Sequence, residues 1–173
     1  LDLLQVILGS NNSAQSHLIE IHLGQEAKLE HGWIAFGDKK SCLLANLAIA
    51  QEPRSHYSLT SIHNGWSLGR FEPQIIQVDG QATTKIKGLQ FSSASQQLET
   101  HSLVRFDGPE GSLEQLQKAA ATGNSHCIFN GAIDVPRVAQ KTNAAQLSRN
   151  LLMSNRARID TKPELTIVAD DVR

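Results

Sequence analysis

Cysteine is scarce in this 173-residue chain, which contains only Cys42 and Cys127. About half of the chain separates the two, so they form neither the disulfide framework of a small secreted protein nor a Cys-x-x-Cys metal pair. Scarce cysteine therefore favours a reducing compartment, and we expect a cytoplasmic protein, or a plastid-stroma protein if the source is a plant or an alga.

Charge of one sign is also missing. Sixteen basic and seventeen acidic residues leave a net charge of −1, and no basic stripe is interleaved with aromatic residues. This pattern excludes an electrostatic nucleic-acid footprint. The longest apolar runs are far shorter than a bilayer span, and the first residues do not form a signal peptide. We therefore expect neither a nucleic-acid partner nor a membrane partner.

Short apolar runs dominate what is present. Each has the length of a strand, many alternate with period two, and Gly, Asp, Asn, Pro or Ser separates them. Few of the gaps could hold the helix of a βαβ crossover, so the sequence predicts an all-β architecture. The runs are Leu18–Leu23, Trp33–Phe36, Cys42–Ile49, Tyr57–Ile62, Gln74–Val78, Thr84–Phe91, Ser102–Phe106, Cys127–Val135, Asn150–Met153 and Leu165–Val168.

One segment interrupts this pattern. Gly111–Asn124 places Leu113, Leu116 and Ala120 on one helical face, and Gly123 is a typical helix stop. The spacing predicts a short helix inserted near residues 112–122.

A degenerate repeat carries more information than any single run. Ala27, Ala82, Ala139 and Ala157 each follow a turn-like or polar cluster, and the first two separations are nearly equal while the third is much shorter. Coils of about 18 or 19 residues fit these separations, with three coils in each long separation and one coil in the short one. A repeat of one strand and one turn is typical of a β-solenoid. A sandwich with irregular strand spacing is the structural alternative.

Candidate chemical groups are weak throughout. The seven histidines are scattered, and the odd spacing of His17 and His22 points them to opposite faces of one strand. Cys42 and Cys127 sit inside apolar runs, as small buried residues do. Trp33 and Trp66 are interpreted as packing residues. We therefore predict no catalytic residue and no metal ligand.

Asp170 and Asp171 invite a separate question, since two adjacent carboxylates resemble a reactive pair. Adjacent residues of a strand point to opposite faces and cannot share a proton unless the backbone turns between them. Acidic residues at strand ends are commonly turn formers, and that interpretation is preferred here.

The last third of the chain carries a family resemblance. Phe129-Asn130-Gly131, Ala139-Gln140-Lys141-Thr142, Asn150-Leu151-Leu152, Asp160-Thr161-Lys162-Pro163 and Ala169-Asp170-Asp171-Val172 occur in the order and spacing of the SufB/SufD family of SUF iron–sulfur cluster assembly proteins. The residues of these segments resemble SufD more than SufB. The resemblance implies a right-handed parallel β-helix, in agreement with the repeat.

The resemblance also implies a function. The chain would be a non-enzymatic SufD-like component that pairs with SufB through β-helix edge strands and is coupled to the SufC ATPase. In the family a Cys-x-His-Gly motif follows the Asp-Asp-Val segment, and helical regions flank the β-helix; residues 1–173 contain the single β-helix core without these parts. No resident cofactor is expected in this fragment, because the full complex handles the iron–sulfur cluster transiently.

The expected partner interface is the approach to the SufB-facing edge: Leu165, Thr166, Ile167, Val168, Asp170 and Asp171. SufC would bind through a domain that lies outside this chain, and a homodimer is possible for the fragment in isolation. The alternative function is a solenoid polysaccharide-acting enzyme or glycan-binding protein of the pectate-lyase type. That alternative requires carboxylates and basic residues stacked along a lateral groove.

Overall fold

Twelve strands account for most of the chain in the computed structural model, which describes residues 1–172. No helix occurs in that range, so it holds no helical segment that could cross a membrane. The strands are β1 (Asp2–Leu8), β2 (Ala14–Leu23), β3 (Lys28–Phe36), β4 (Cys42–Gln51), β5 (His56–Asn64), β6 (Leu68–Gln77), β7 (Thr83–Ser92), β8 (Gln97–Phe106), β9 (Ser112–Ala121), β10 (His126–Val135), β11 (Asn143–Leu152) and β12 (Arg158–Ile167).

The strands form two six-stranded parallel sheets. The odd-numbered strands pair in the order β1-β3-β5-β7-β9-β11, and the even-numbered strands pair in the order β2-β4-β6-β8-β10-β12. Each coil of chain therefore contributes one strand to each sheet, and six coils stack into a rod. The all-β solenoid predicted from the sequence is confirmed.

The coil is longer than the sequence repeat suggested. Among paired residues on successive coils, the shortest offset joins Cys42 to Leu68 and the longest joins His126 to Arg158. Both offsets clearly exceed the predicted period, which is therefore wrong, because one coil contains two strands and two corners. The two long alanine separations correspond to two coils each rather than three.

The predicted helix near residues 112–122 is also wrong. Residues Ser112–Ala121 form β9, which is paired on one side with β7 and on the other with β11. The inward positions of β9 include Gln115 and Gln117, both buried. The strand therefore has the period-two burial pattern, but two of its inward residues are glutamines rather than apolar residues. Two ladders of backbone hydrogen bonds override the helical preference of its Ala, Gln and Lys residues.

The four repeated alanines lie at corners of the solenoid. Ala82 and Ala139 are buried shortly before β7 and β11, and Ala27 and Ala157 pack against the core before β3 and β12. At one corner an added Cβ on Gly37 would lie 2.5 Å from the carbonyl oxygen of Gly65, so only glycine fits there.

Aromatic and aliphatic side chains fill the space between the sheets. Trp33 stacks on Phe71 with ring centroids 5.0 Å apart, and Leu43, Leu47 and Leu59 are almost completely buried. Each fully buried side chain of this size contributes roughly 1.5–3 kcal/mol through the hydrophobic effect. Trp33 and Trp66 are both fully buried, as expected of packing residues.

A buried polar chain runs through the same interior. The Thr84 hydroxyl donates to Gln51 Oε1 (2.6 Å), and Gln77 Nε2 donates to Thr84 Oγ1 (2.8 Å) and to the carbonyl of Ser112 (2.9 Å). These residues belong to β4, β6, β7 and β9. One hydrogen-bonded chain therefore links four successive coils.

Candidate functional site: the open C-terminal edge

The sixth coil leaves two strand edges open. Within residues 1–172, β11 pairs only with β9 and β12 pairs only with β10. The outer edge of each strand presents backbone N–H and C=O groups to solvent, and such an edge is a template for adding another strand. Among residues 1–172, the sixth coil therefore presents one strand edge in each sheet, to which a further strand of this chain or of a partner can add.

The six residues predicted for the partner interface lie on or just after β12. Leu165, Thr166 and Ile167 pair with Ile133, Asp134 and Val135 of β10. Ile133 and Val135 are buried, but Leu165 and Ile167 in the next layer are 59% and 45% exposed. Both continue columns of inward-facing core residues that nothing covers at this end of the described chain.

Val168 follows directly and remains in register, since its N–H donates to the carbonyl of Val135 (2.9 Å). Its side chain is also about half exposed. The end of β12 and the residue after it are therefore apolar apart from Thr166.

Asp170 and Asp171 lie in the turn that follows β12, and both are exposed. The N–H of Asp171 donates to Gln140 Oε1 (3.0 Å), and its carbonyl accepts from the N–H of Lys141 (2.6 Å). A bridge between Thr142 and Val172 continues this pairing. The two aspartates thus form part of a corner, and the turn-former interpretation agrees with their position.

A second group of edge residues was missed by the sequence argument. Leu147, Leu151, Leu152 and the adjoining Met153 are all about half exposed on β11 and its end. The run Asn150–Met153 was recognised as a strand, but its place on an edge depends on which strands share a sheet. Leu152 continues an inward column below Ala121, as Ile167 does below Val135.

Polar groups fill the interior beneath this edge. Gln146 Nε2 donates to Gln115 Oε1 (2.9 Å), and Gln115 Nε2 donates to Ser102 Oγ (2.8 Å). Between the two edge strands, Asn150 Nδ2 donates to Thr161 Oγ1 (2.9 Å). The Gln115–Ser102 and Asn150–Thr161 bonds cross from one sheet to the other, and the second of them ties β11 directly to β12.

Charged residues also stack on the outer face of the even-numbered sheet. Arg70 contacts both Glu72 and Glu99, and Glu99 accepts from His101 Nε2 (3.0 Å). Burial alone would raise the pKa of Glu99, but hydrogen bonds from Gln97 and His101 and the charge of Arg70 lower it.

A matching cluster lies nearer the edge, where Asp160 contacts Arg158 and His126. The hydrogen bond from Arg158, reinforced by that from His126, lowers the pKa of Asp160. The neighbouring donors and cations thus favour the charged form of both Asp160 and Glu99. Carboxylates and basic residues are stacked here, as the pectate-lyase alternative requires, but they form ion pairs with one another.

The remaining candidates occupy separate places. His17 points inward and His22 outward on β2, as predicted from their spacing. Cys127 is buried, and burial raises the pKa of its thiol, whereas Cys42 lies on the outer face of β4 and is partly exposed. Among residues 1–172, no group of three or more His, Cys, Asp or Glu side chains is arranged to hold a metal ion.

Comparison with known proteins identifies the family. The family model described as "SUF system FeS cluster assembly, SufBD core domain" matches residues 2–173. This chain belongs to the SufBD core domain family. The resemblance seen in the last third of the sequence thus extends over the whole chain.

Three relatives illustrate the similarity. A SufBD family iron–sulfur cluster assembly protein of Synechocystis is 38% identical over 154 residues, covering 89% of this chain and 34% of that protein. Protein ABCI7, chloroplastic, of Arabidopsis thaliana is 33% identical over 157 residues (90% and 33%). The iron–sulfur cluster assembly protein SufD of Escherichia coli is 32% identical over 164 residues (94% and 36%). The chain spans about a third of the length of these three relatives.

Proposed function

We propose that this SufBD core is the β-helix of a SufD-like component that pairs with SufB and is coupled to the SufC ATPase. The observation that carries the proposal is the strand edge of the sixth coil in residues 1–172. There, uncovered core side chains of β11 and β12 lie beside unpaired strand edges in the described part of the chain. The 32% identity to the SufD of Escherichia coli, at 94% coverage of this chain, supports the SufD-like assignment.

Pairing at this edge would satisfy two physical needs at once. Backbone groups of β11 and β12 would gain hydrogen-bond partners, and Leu152, Leu165 and Ile167 would be covered by the partner's own end coil. Covering each large apolar side chain contributes roughly 1.5–3 kcal/mol before the cost of association. A partner with the same two-sheet solenoid end matches both needs, since its edges would lie at the same separation.

The role proposed is structural and mechanical. Hydrogen bonds between the two sheets would stiffen the rod, and we propose that it passes motion from one end to the other. In this scheme the SufC-driven rearrangement reaches the SufB-facing end through the stacked coils, and the iron–sulfur cluster is cargo assembled by the full complex. We propose that the chain has no enzymatic activity and no resident cofactor. It would act in the cytoplasm, or in the plastid stroma of a plant or an alga.

Co-purification tests the pairing. The intact protein and SufB are co-expressed under anaerobic conditions with the affinity tag on SufB, and the recovered complex is quantified. The variant Ile167→Lys places a charge among the uncovered core residues and is expected to weaken SufB binding at least about tenfold, equivalent to about 1.4 kcal/mol.

Leu44→Lys is the matched control. Leu44 is exposed to a similar degree as Ile167 but lies on the outer face of β4, far from the sixth coil. It should leave SufB binding unchanged. Failure of the unaltered protein to recover with SufB would overturn the proposal, as would equal loss in the two variants.

A further inference from the structure

The outer face of the odd-numbered sheet carries an apolar stripe that the proposed SufB edge does not use. Val6, Ile34, Ile62 and Leu89 stand at one register position on β1, β3, β5 and β7. Their side chains point away from the core, because the buried residues of these strands occupy the alternate positions. Outward positions of a solenoid sheet facing water are ordinarily polar, so a continuous apolar row indicates a surface that is covered.

Neighbouring positions extend this lateral stripe. Leu4 and Leu8 flank Val6 and are 64% and 63% exposed, and Phe36 and Phe91 flank Ile34 and Leu89. Gly32 keeps the surface flat beside Leu4. Four strands spaced about 4.8 Å apart and roughly nine residues long make a face on the order of 500 Å². That area is within reach of the roughly 800 Å² per partner of a standard interface once rim residues are included.

Charges toward the strand beginnings are arranged with opposite signs. Asp2 and Glu30 lie near the start of β1 and β3, and Lys85 and Lys87 lie in the first half of β7. All four are exposed, and none forms an ion pair with another residue in the range 1–172. Lys28 on β3 and Glu114 on β9 are exposed on the same face, so the corner at Asp2 and Glu30 is acidic by net charge and the corner at Lys85 and Lys87 is basic by net charge.

We propose that this face binds a second copy of the chain, sheet against sheet, about a two-fold axis parallel to the strands between β3 and β5. That axis places β1 of one copy over β7 of the other and leaves the strand beginnings level. Aligned sheets in proteins pack in this way about 10 Å apart. The facing positions are then Val6 with Leu89, Ile34 with Ile62, Leu8 with Phe91, and Asp2 with Lys85, each occurring twice.

The charge pattern selects this arrangement over others. Rotation about an axis perpendicular to the strands would place Asp2 and Glu30 over the apolar strand ends and leave the lysines unpaired. With the parallel axis, the stem of Lys87 covers Leu4 while its ammonium group reaches the acidic corner. The interface uses no residue of the C-terminal edge, so two copies joined in this way could each hold a SufB.

Sedimentation velocity of the intact protein over a roughly hundredfold range of concentration tests the proposal, because a dimer of this size dissociates on dilution. The unaltered protein should pass from monomer to dimer. Lys85→Glu with Lys87→Glu should weaken dimerisation at least about tenfold, because like charges then face each other at both sides of the lateral stripe. Adding Asp2→Lys and Glu30→Lys to the same chain reverses the facing pair of positions 2 and 85 and exchanges the signs of the two corners, so the dimer should be restored.

Leu18→Lys is a control for a change of surface charge outside the lateral stripe, since Leu18 is exposed on the even-numbered sheet, and it should leave dimerisation unchanged. Near-UV circular dichroism checks that each variant is folded. A protein that stays monomeric at every concentration overturns the proposal, as does a dimer that survives the double lysine reversal. A dimer abolished by Ile167→Lys alone would assign self-association to the C-terminal edge instead. The SufB co-purification is a separate readout, so either proposal can fail without the other.

Discussion

Acid should destabilise this protein through one buried imidazole, His63. The side chain is enclosed between the sheets, its ring packs on Phe71 at a centroid distance of 4.9 Å, and its Nε2 has no hydrogen-bond partner within residues 1–172. Burial lowers the pKa of His63 from 6.5 to about 4. The folded protein therefore keeps this imidazole neutral at pH values where the unfolded chain protonates it.

The sign and size of the effect follow from proton linkage. Between pH 6.5 and about 4 the unfolded state binds one more proton at this residue, so the free energy of unfolding decreases as the pH falls. The slope is about 1.4 kcal/mol per pH unit. Relative to pH 7.5, His63 should cost on the order of 2 kcal/mol at pH 5, and no further loss from this group should occur below its folded pKa.

Urea unfolding at pH 7.5 and at pH 5 measures this loss, and the variant His63→Phe isolates it. Phenylalanine has a similar shape, retains the contact with Phe71 and cannot titrate. The variant should be about as stable as the unaltered protein at pH 7.5 and more stable at pH 5, by on the order of 2 kcal/mol. His31, whose pKa burial also lowers, titrates in both proteins and cancels in the comparison. An equal loss of stability in the two proteins would refute the reasoning.

Other predictions concern packing, corners and thiols. Leu47→Ala removes a fully buried side chain from the middle of β4 and should lower the free energy of unfolding by about 2–5 kcal/mol in urea titrations, whereas Leu44→Ala on the outer face of the same strand should change it by less than about 1 kcal/mol. Gly65→Ala puts a Cβ 2.4 Å from the carbonyl oxygen of Gly37 at a φ of +79° and should cost at least about 1–3 kcal/mol by the same assay; a neutral effect would show that this corner can open. Ellman's reagent at neutral pH should react with Cys42 in the folded protein and with Cys127 only after denaturant is added; rapid reaction of both thiols would contradict the buried position of Cys127.

The apolar runs predicted every strand except β1 and β9, because strands such as β2 and β10 combine inward apolar residues with period-two spacing. The same reasoning failed for β9, where glutamines occupy the inward positions. A buried glutamine is stable at position 115 because residues of other coils satisfy its amide. Ser102 accepts a hydrogen bond from Gln115, and Gln146 donates one to it. No local pattern records partners that lie 13 and 31 residues away in the chain.

The period was misread for a related reason. Corner alanines such as Ala27 and Ala82 mark places where the chain turns, but they do not show whether successive turns lie on the same side of the rod. For the edge, the family resemblance predicted the end of β12, whereas the run Asn150–Met153 predicted a strand at β11 but not its place on the same edge. Strand edges belong to a sheet, and the alternation of strands between two sheets is a property of the stacked rod.

The hydrogen-bonded chain from Gln51 through Thr84 and Gln77 to Ser112 has a consequence for how this rod can vary. Aliphatic ladders are nearly indifferent to a slip along the strand, since one leucine can replace another in contact with its neighbours. An amide that must meet a hydroxyl two coils away tolerates no such slip. The interior amides therefore fix the register between coils. They let coils of unequal length stack in one rod, with the additional residues accommodated at the corners. Insertions at corners should be accommodated, whereas a single residue added within a strand would break the interior side-chain hydrogen bonds on either side of it.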